Sequence, residues 1–197
     1  MNRLAAFTML QAGLAIASPA SAGGSWGRID GDSAVQADLG VGMKSTHAIA
    51  AALFAYRYLQ TVGIYASILA PLETQSPYST PISLGTEIRP LFLPRFLLGK
   101  QTNTARASMM IDSLSIRTGV TTEINAPHSS QPGFELGLGI GIPIFNRASG
   151  PWVSATSLAR FPNLSGHPSG SAEFVWLLAI GWQTTFHAGI VDLRDRR

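Results

Sequence analysis

The chain has 197 residues, no cysteine, 14 Lys and Arg against 11 Asp and Glu, and only 13% charged residues. The lack of cysteine excludes a disulfide framework, and a formal charge of +3 is too near neutral to argue for a nucleic-acid partner. Mean hydropathy is +0.20, yet beyond the first residues no apolar run approaches the roughly 20 residues that a membrane helix needs.

Residues 1–22 have the pattern of an export leader: basic Arg3, an apolar stretch over residues 4–17, and the small-residue ending Ala20-Ser21-Ala22. An uncleaved anchor is the weaker reading, because Thr8, Gln11, Gly13 and Pro19 interrupt the run. Cleavage leaves residues 23–197 as one domain, with no linker or repeat to divide it.

From residue 33 onward the chain alternates apolar and polar positions in segments of about ten residues, the signature of a membrane barrel. The first segment, 33–43, sets Val35, Ala37, Leu39, Val41 and Met43 against Gln36, Asp38, Gly40 and Gly42. The second, 48–59, carries Phe54, Tyr56 and Tyr58 on one face and Arg57 on the other, with a tight turn expected at Gln60-Thr61. The third, 62–69, and the fourth, 82–92, turn Ile64, Ile68, Leu84 and Ile88 outward and Glu87 and Arg89 inward.

Past Pro90 and Pro94 the alternation fails until about residue 110, which predicts a long irregular connection with a helical turn. The fifth segment, 112–124, opposes Leu114, Ile116, Val120 and Ile124 to Arg117 and Glu123. The sixth, 134–145, is the most regular, with Phe134, Leu136, Leu138, Ile140, Ile142 and Ile144 against Glu135 and three glycines. The seventh, 152–161, is poorly patterned, and the eighth, FVWLLAIGWQTTF over 174–186, is apolar along one side from end to end.

These segments predict an all-β, antiparallel up-and-down transmembrane barrel of about eight strands over residues 33–186, with a short periplasmic tail. An even strand count brings both ends to one side. Loops at 44–47, 70–81, 125–133 and 162–171 are then external, and the turns at 60–61 and 146–150 periplasmic. The aromatics Phe134, Phe161 and Phe174 fall at the outer interface and Tyr58, Phe92, Phe145, Trp152, Trp182 and Phe186 at the inner one, as membrane-interface girdles require.

With its leader, its alternating strands and its aromatic-ended last strand, the chain resembles the small eight-stranded outer-membrane β-barrels of Gram-negative bacteria. In that class the final strand carries a pattern read by the barrel-assembly machinery. Gly181 and Phe186 match its spacing, whereas Ala179 and Thr184 depart from it and the chain continues beyond Phe186. The resemblance implies a monomer in outer-membrane lipid, exported through a cleaved signal peptide, and carries over no site residues.

An eight-stranded interior is wide enough only for side chains, so a diffusion pore is not expected. Asp38, Arg57, Glu87, Arg89, Arg117, Glu123 and Glu135 are expected to form a polar network in the lumen, since confined charges must be paired. His47, His128 and His167 fall in external loops, where they admit zinc binding or, with Ser129 or Ser169, a lipid A-modifying hydrolase. No acid is assignable to such a triad, and loop histidines usually serve solubility and turns. No phosphate loop, zinc motif or cofactor fingerprint is present. The reading is therefore a structural or surface-interaction role with no cofactor or metal, ahead of a lipid A deacylase or acyltransferase. A soluble periplasmic lipid-binding barrel is the third reading, and it requires the faces to be inverted.

Overall fold

A computed structural model describes residues 31–73, 80–98, 102, 104–124, 132–161 and 172–188. They form eight strands, β1 (Ser33–Lys44), β2 (His47–Tyr58), β3 (Val62–Pro71), β4 (Thr80–Ile88), β5 (Ser115–Ile124), β6 (Gly133–Pro143), β7 (Gly150–Phe161) and β8 (Glu173–Phe186). Two short helices, α1 (Phe92–Leu97) and α2 (Ala105–Asp112), lie between β4 and β5. Each strand pairs antiparallel with its sequence neighbours, and β1 pairs with β8 from Ser33↔Phe186 to Lys44↔Val175. The sheet thus closes as an up-and-down barrel and leaves no free edge.

The register fixes the tilt. Paired positions followed around the barrel from Ala34 pass Arg57, Gly63, Glu87, Arg117, Gly137, Leu158 and Val175 and return to β1 at Lys44, ten residues further along. With a rise of ~3.3 Å per residue and strands ~4.8 Å apart, that stagger tilts the strands by about 40°.

One rim carries the start of β1 and the end of β8, the turn at 59–61, the helical connection and residues 144–149. The other carries the β1–β2 turn and the connections β3–β4, β5–β6 and β7–β8. The β2–β3 hairpin turn has Leu59 and Gln60 both at positive φ, 49° and 55°, with the Thr61 amide donating to the Tyr58 carbonyl at 3.0 Å. Those signs match the twist of the flanking strands, as in primed hairpin turns, although neither residue favours that region.

Two boundaries differ most from expectation. The fourth strand stops at Ile88 rather than reaching Phe92, because Pro90 cannot continue the ladder and α1 begins at Phe92. The fifth starts at Ser115 rather than 112, because residues 105–112 are helical. Thr104 caps that helix from an extended conformation, its side-chain oxygen accepting from the Ala107 amide at 3.4 Å, and the Ser113 amide closes it onto the Met109 carbonyl at 2.9 Å.

Side-chain direction follows the pleat. The large hydrophobics Leu39, Val41, Phe54, Ile64, Leu84, Val120, Leu138, Ile142, Trp176, Leu178 and Ile180 are exposed on the outer wall. The inverted arrangement, with apolar side chains lining a cavity and charges on the perimeter, is not what the strands adopt. Inside, Ile49, Leu53, Leu69, Leu158, Val175 and Leu177 form an apolar cluster from β2, β3, β7 and β8. A smaller cluster of Ala105, Met109, Ala148 and Trp152 joins α2 to the barrel at the rim where β1 starts and β8 ends.

Trp152 and Phe92 are therefore corrections to the aromatic girdle. Trp152 lies on the lumen side of β7, 3% exposed, with its indole N–H donating to the Ala148 carbonyl at 2.8 Å. It shares the parity of Leu158 and Arg160, so the pleat turns it inward. Phe92 is buried in α1 instead of standing on a strand end. The other girdle residues lie on the outside: Phe161 and Phe174 near one rim, Phe145, Trp182 and Phe186 near the other, all exposed, with Tyr58 and Phe134 half-buried. Phe134 and Phe161 are cross-strand partners with ring centroids 6.3 Å apart.

Candidate functional site in the barrel lumen

Every charged residue within the strands occupies an inward position, and the register decides which of them meet. Arg57, Glu87 and Arg117 lie on one row of paired positions around the barrel, separated only by Gly63. Glu87 is 1% exposed and receives three guanidinium groups: Arg57 Nε at 2.5 Å and Arg89 Nε at 3.2 Å on Oε1, and Arg117 Nε at 2.9 Å on Oε2. One carboxylate thus binds cations from β2, β5 and the residue just past β4.

The next row holds the second cluster. Tyr65, Glu135 and Arg160 share it, and Glu135 is fully buried. Its Oε1 accepts from the Tyr65 hydroxyl at 2.9 Å, while its Oε2 accepts from Arg160 Nε at 2.6 Å and the Ser83 hydroxyl at 2.9 Å. Arg160 also donates to Ser83 at 3.1 Å. The clusters meet where the Arg117 guanidinium lies 5.5 Å from the centre of the Tyr65 ring.

Asp38 takes a different part from the expected one. Among the described residues it makes no ion pair: the Gln36 side-chain amide donates to both its oxygens at 2.8 Å, and the Ser154 hydroxyl donates at 3.3 Å. Gln36 in turn accepts from Arg57 at 2.7 Å, so it relays between the acid and the cation cluster. Across the β1–β8 pair, a Cβ at Gly181 would collide with Asp38 Oδ1, which gives that glycine a packing role. Glu123 lies half-buried near the far rim, and no bond among the described residues joins it to either cluster.

Of the seven expected lumen residues, Arg57, Glu87, Arg89 and Arg117 come together, Glu135 anchors a second group, Asp38 is linked through Gln36, and Glu123 stands apart. Sequence reasoning missed Gln36, Tyr65, Ser83, Arg160 and Gln183, the last accepting from Arg57 at 3.3 Å and donating to the Ala148 carbonyl at 3.1 Å. Inward parity was a signal for Tyr65. Arg160 gave none, because its strand has no large apolar outward face to fix parity: Val153, Ala155, Ser157 and Ala159 face out while Trp152 and Leu158 face in.

Among the described residues no three His, Asp or Glu side chains converge as a metal would require. His47 pairs with Glu73 at 3.2 Å at the loop-bearing rim. His128, Ser129, His167 and Ser169 lie outside the described residues. Chemically the lumen is a packed polar core: buried charges held by hydrogen bonds, with a cavity lined by Arg57, Arg117 and Trp152 among others that has room for about one water-sized particle. No known protein family matches the chain, and no curated protein is similar to it.

Proposed function

We propose that the chain is an integral outer-membrane β-barrel with a structural or surface-interaction role and a lumen closed to diffusion. One observation carries this reading: among the described strand residues, no outward position bears a charge. Leu84, Leu138, Trp176 and Leu178 are between 58% and 65% exposed on that wall. A monomer in water rarely leaves even a few hundred Å² of contiguous apolar surface uncovered, and this surface runs around the whole closed sheet.

The dimensions agree with hydrocarbon as the solvent. Strands of 9 to 14 residues tilted by about 40° are long enough to span, since 9–11 tilted residues suffice. The exposed aromatics near both rims are placed to anchor at headgroup depth. The filled interior argues against a porin. In this reading residues 1–22 are the leader that exports the chain, β8 with Gly181 and Phe186 is the strand offered to the assembly machinery, and the barrel sits as a monomer in outer-membrane lipid without a cofactor.

The test is fractionation of the full chain with carbonate washing, followed by gel migration with and without heating in detergent. Retention in the outer-membrane fraction with a heat-dependent shift in mobility is expected. Release by carbonate into the soluble fraction would refute the reading.

A further inference from the structure

We infer that the lumen contains a binding site for a small monovalent anion of chloride's size. Arg57, Arg89 and Arg117 line the cavity together with Ser115 and Thr156. Gly139 and Gly141 provide its space. The three arginines and both hydroxyl residues are each at most 6% exposed. No carboxylate lies in that wall. Glu87, which the three arginines share, stands outside the wall, and Asp38 is held one hydrogen bond away from it by Gln36 and Ser154, both of which line the cavity.

Three cations against the two neighbouring acids, Glu87 and Asp38, leave the surroundings of the cavity with an excess positive charge, and a charge removed from water must be compensated by an opposite one close by. The hydroxyls of Ser115 and Thr156 are free to rotate and donate toward an anion. A neutral water fills the same space and leaves the field unchanged. The size of the cavity excludes phosphate or a carboxylate-bearing metabolite, which leaves a halide as the ligand. The site is independent of whether lipid covers the outer wall, because every group in it faces the lumen.

The full chain, refolded in detergent and crystallised from sodium bromide, gives the direct test. An anomalous peak in the cavity, within hydrogen-bond reach of the arginines, is expected. In solution the thermal midpoint is followed against chloride at constant ionic strength, with bulky isethionate as replacement. It should rise about 3 to 5 °C for each tenfold of chloride above the dissociation constant. Gly141→Ala places a methyl group 3.1 Å from the Trp152 ring, occupies the cavity without changing its charge, and should flatten that dependence. Should that variant not refold, Thr156→Val removes a donor and should weaken the dependence. A water without anomalous signal in the cavity, bromide at the surface only, or an equal chloride response in wild type and variants would overturn the inference.

Discussion

The hydroxyl of Tyr65 on β3 reaches the carboxylate of Glu135 on β6 at 2.9 Å, across two intervening strands that contribute only glycine to that row. A Cβ at Gly85 would stand 2.8 Å from Tyr65 Cε1, and one at Gly119 would stand 2.7 Å from the hydroxyl itself. The ring therefore lies flat against the bare backbone of β4 and β5. Gly119→Ala should cost about 1–3 kcal/mol through overpacking, and the cost should fall by about 1 kcal/mol or more in a Tyr65→Ala background. Urea unfolding of the lipid-refolded protein, run as a double-mutant cycle, measures the coupling, and strictly additive effects would contradict it.

Removing the shared carboxylate should be among the most damaging single changes. Glu87→Gln leaves three buried guanidinium groups around a neutral amide, and breaking a buried charge cluster in this way costs about 3–5 kcal/mol. The exposed His47–Glu73 pair is the control, since Glu73→Gln should change stability by less than about 1 kcal/mol. Comparing urea midpoints of the two variants checks the contrast.

Leu178→Arg separates lipid from water as the outer solvent. Position 178 is 58% exposed and faces away from the lumen. In a bilayer an arginine near mid-depth costs about 2–4 kcal/mol, whereas on a wet surface an exposed substitution stays within about 0.5 kcal/mol. Unfolding from vesicles supplies the number, and a neutral result there would count against the proposed membrane location.

The β2–β3 hairpin stores strain that can be relieved. Leu59 sits at φ 49° without the glycine that such a turn favours. Leu59→Gly should stabilise the barrel or leave it unchanged, by up to about 1 kcal/mol, because the relief of the left-handed conformation is offset by the greater freedom of glycine in the unfolded chain. A lower urea midpoint would show that the Leu59 side chain contributes packing that outweighs the strain.

The strands were legible because the two faces of the sheet differ so sharply. In β6 every outward residue from Phe134 to Ile142 is large and apolar while the inward ones are Glu135 and glycines. That contrast fixes parity without any knowledge of partners. β7 lacks it: outward Pro151, Val153, Ala155, Ser157 and Ala159 are small, and inward Trp152 and Leu158 are bulky. Trp152 then passed for an interface residue and Arg160 went unnoticed.

The helices were hidden for a local reason. α2 is short, begins without an acidic residue in its first turn, and carries only the weak cap of Thr104. The lumen clusters were legible as a set of charges but not as a pattern of bonds. That Glu87 gathers three arginines, while Asp38 is held by an amide, follows from the stagger between strands, which no single segment contains.

The pairing of β1 with β8 runs the full length of β1 and matches that of the hairpins. Asp32 draws the ends together further: its carbonyl accepts from Leu59 and its carboxylate from the Ala188 amide at 2.6 Å. The seam between β1 and β8 is thus mechanically no different from any other in the cylinder. Joining Asp32 to Ala188 by a short peptide and opening a new start in a connection at the opposite rim should give a circular permutant with the same wall and the same interior.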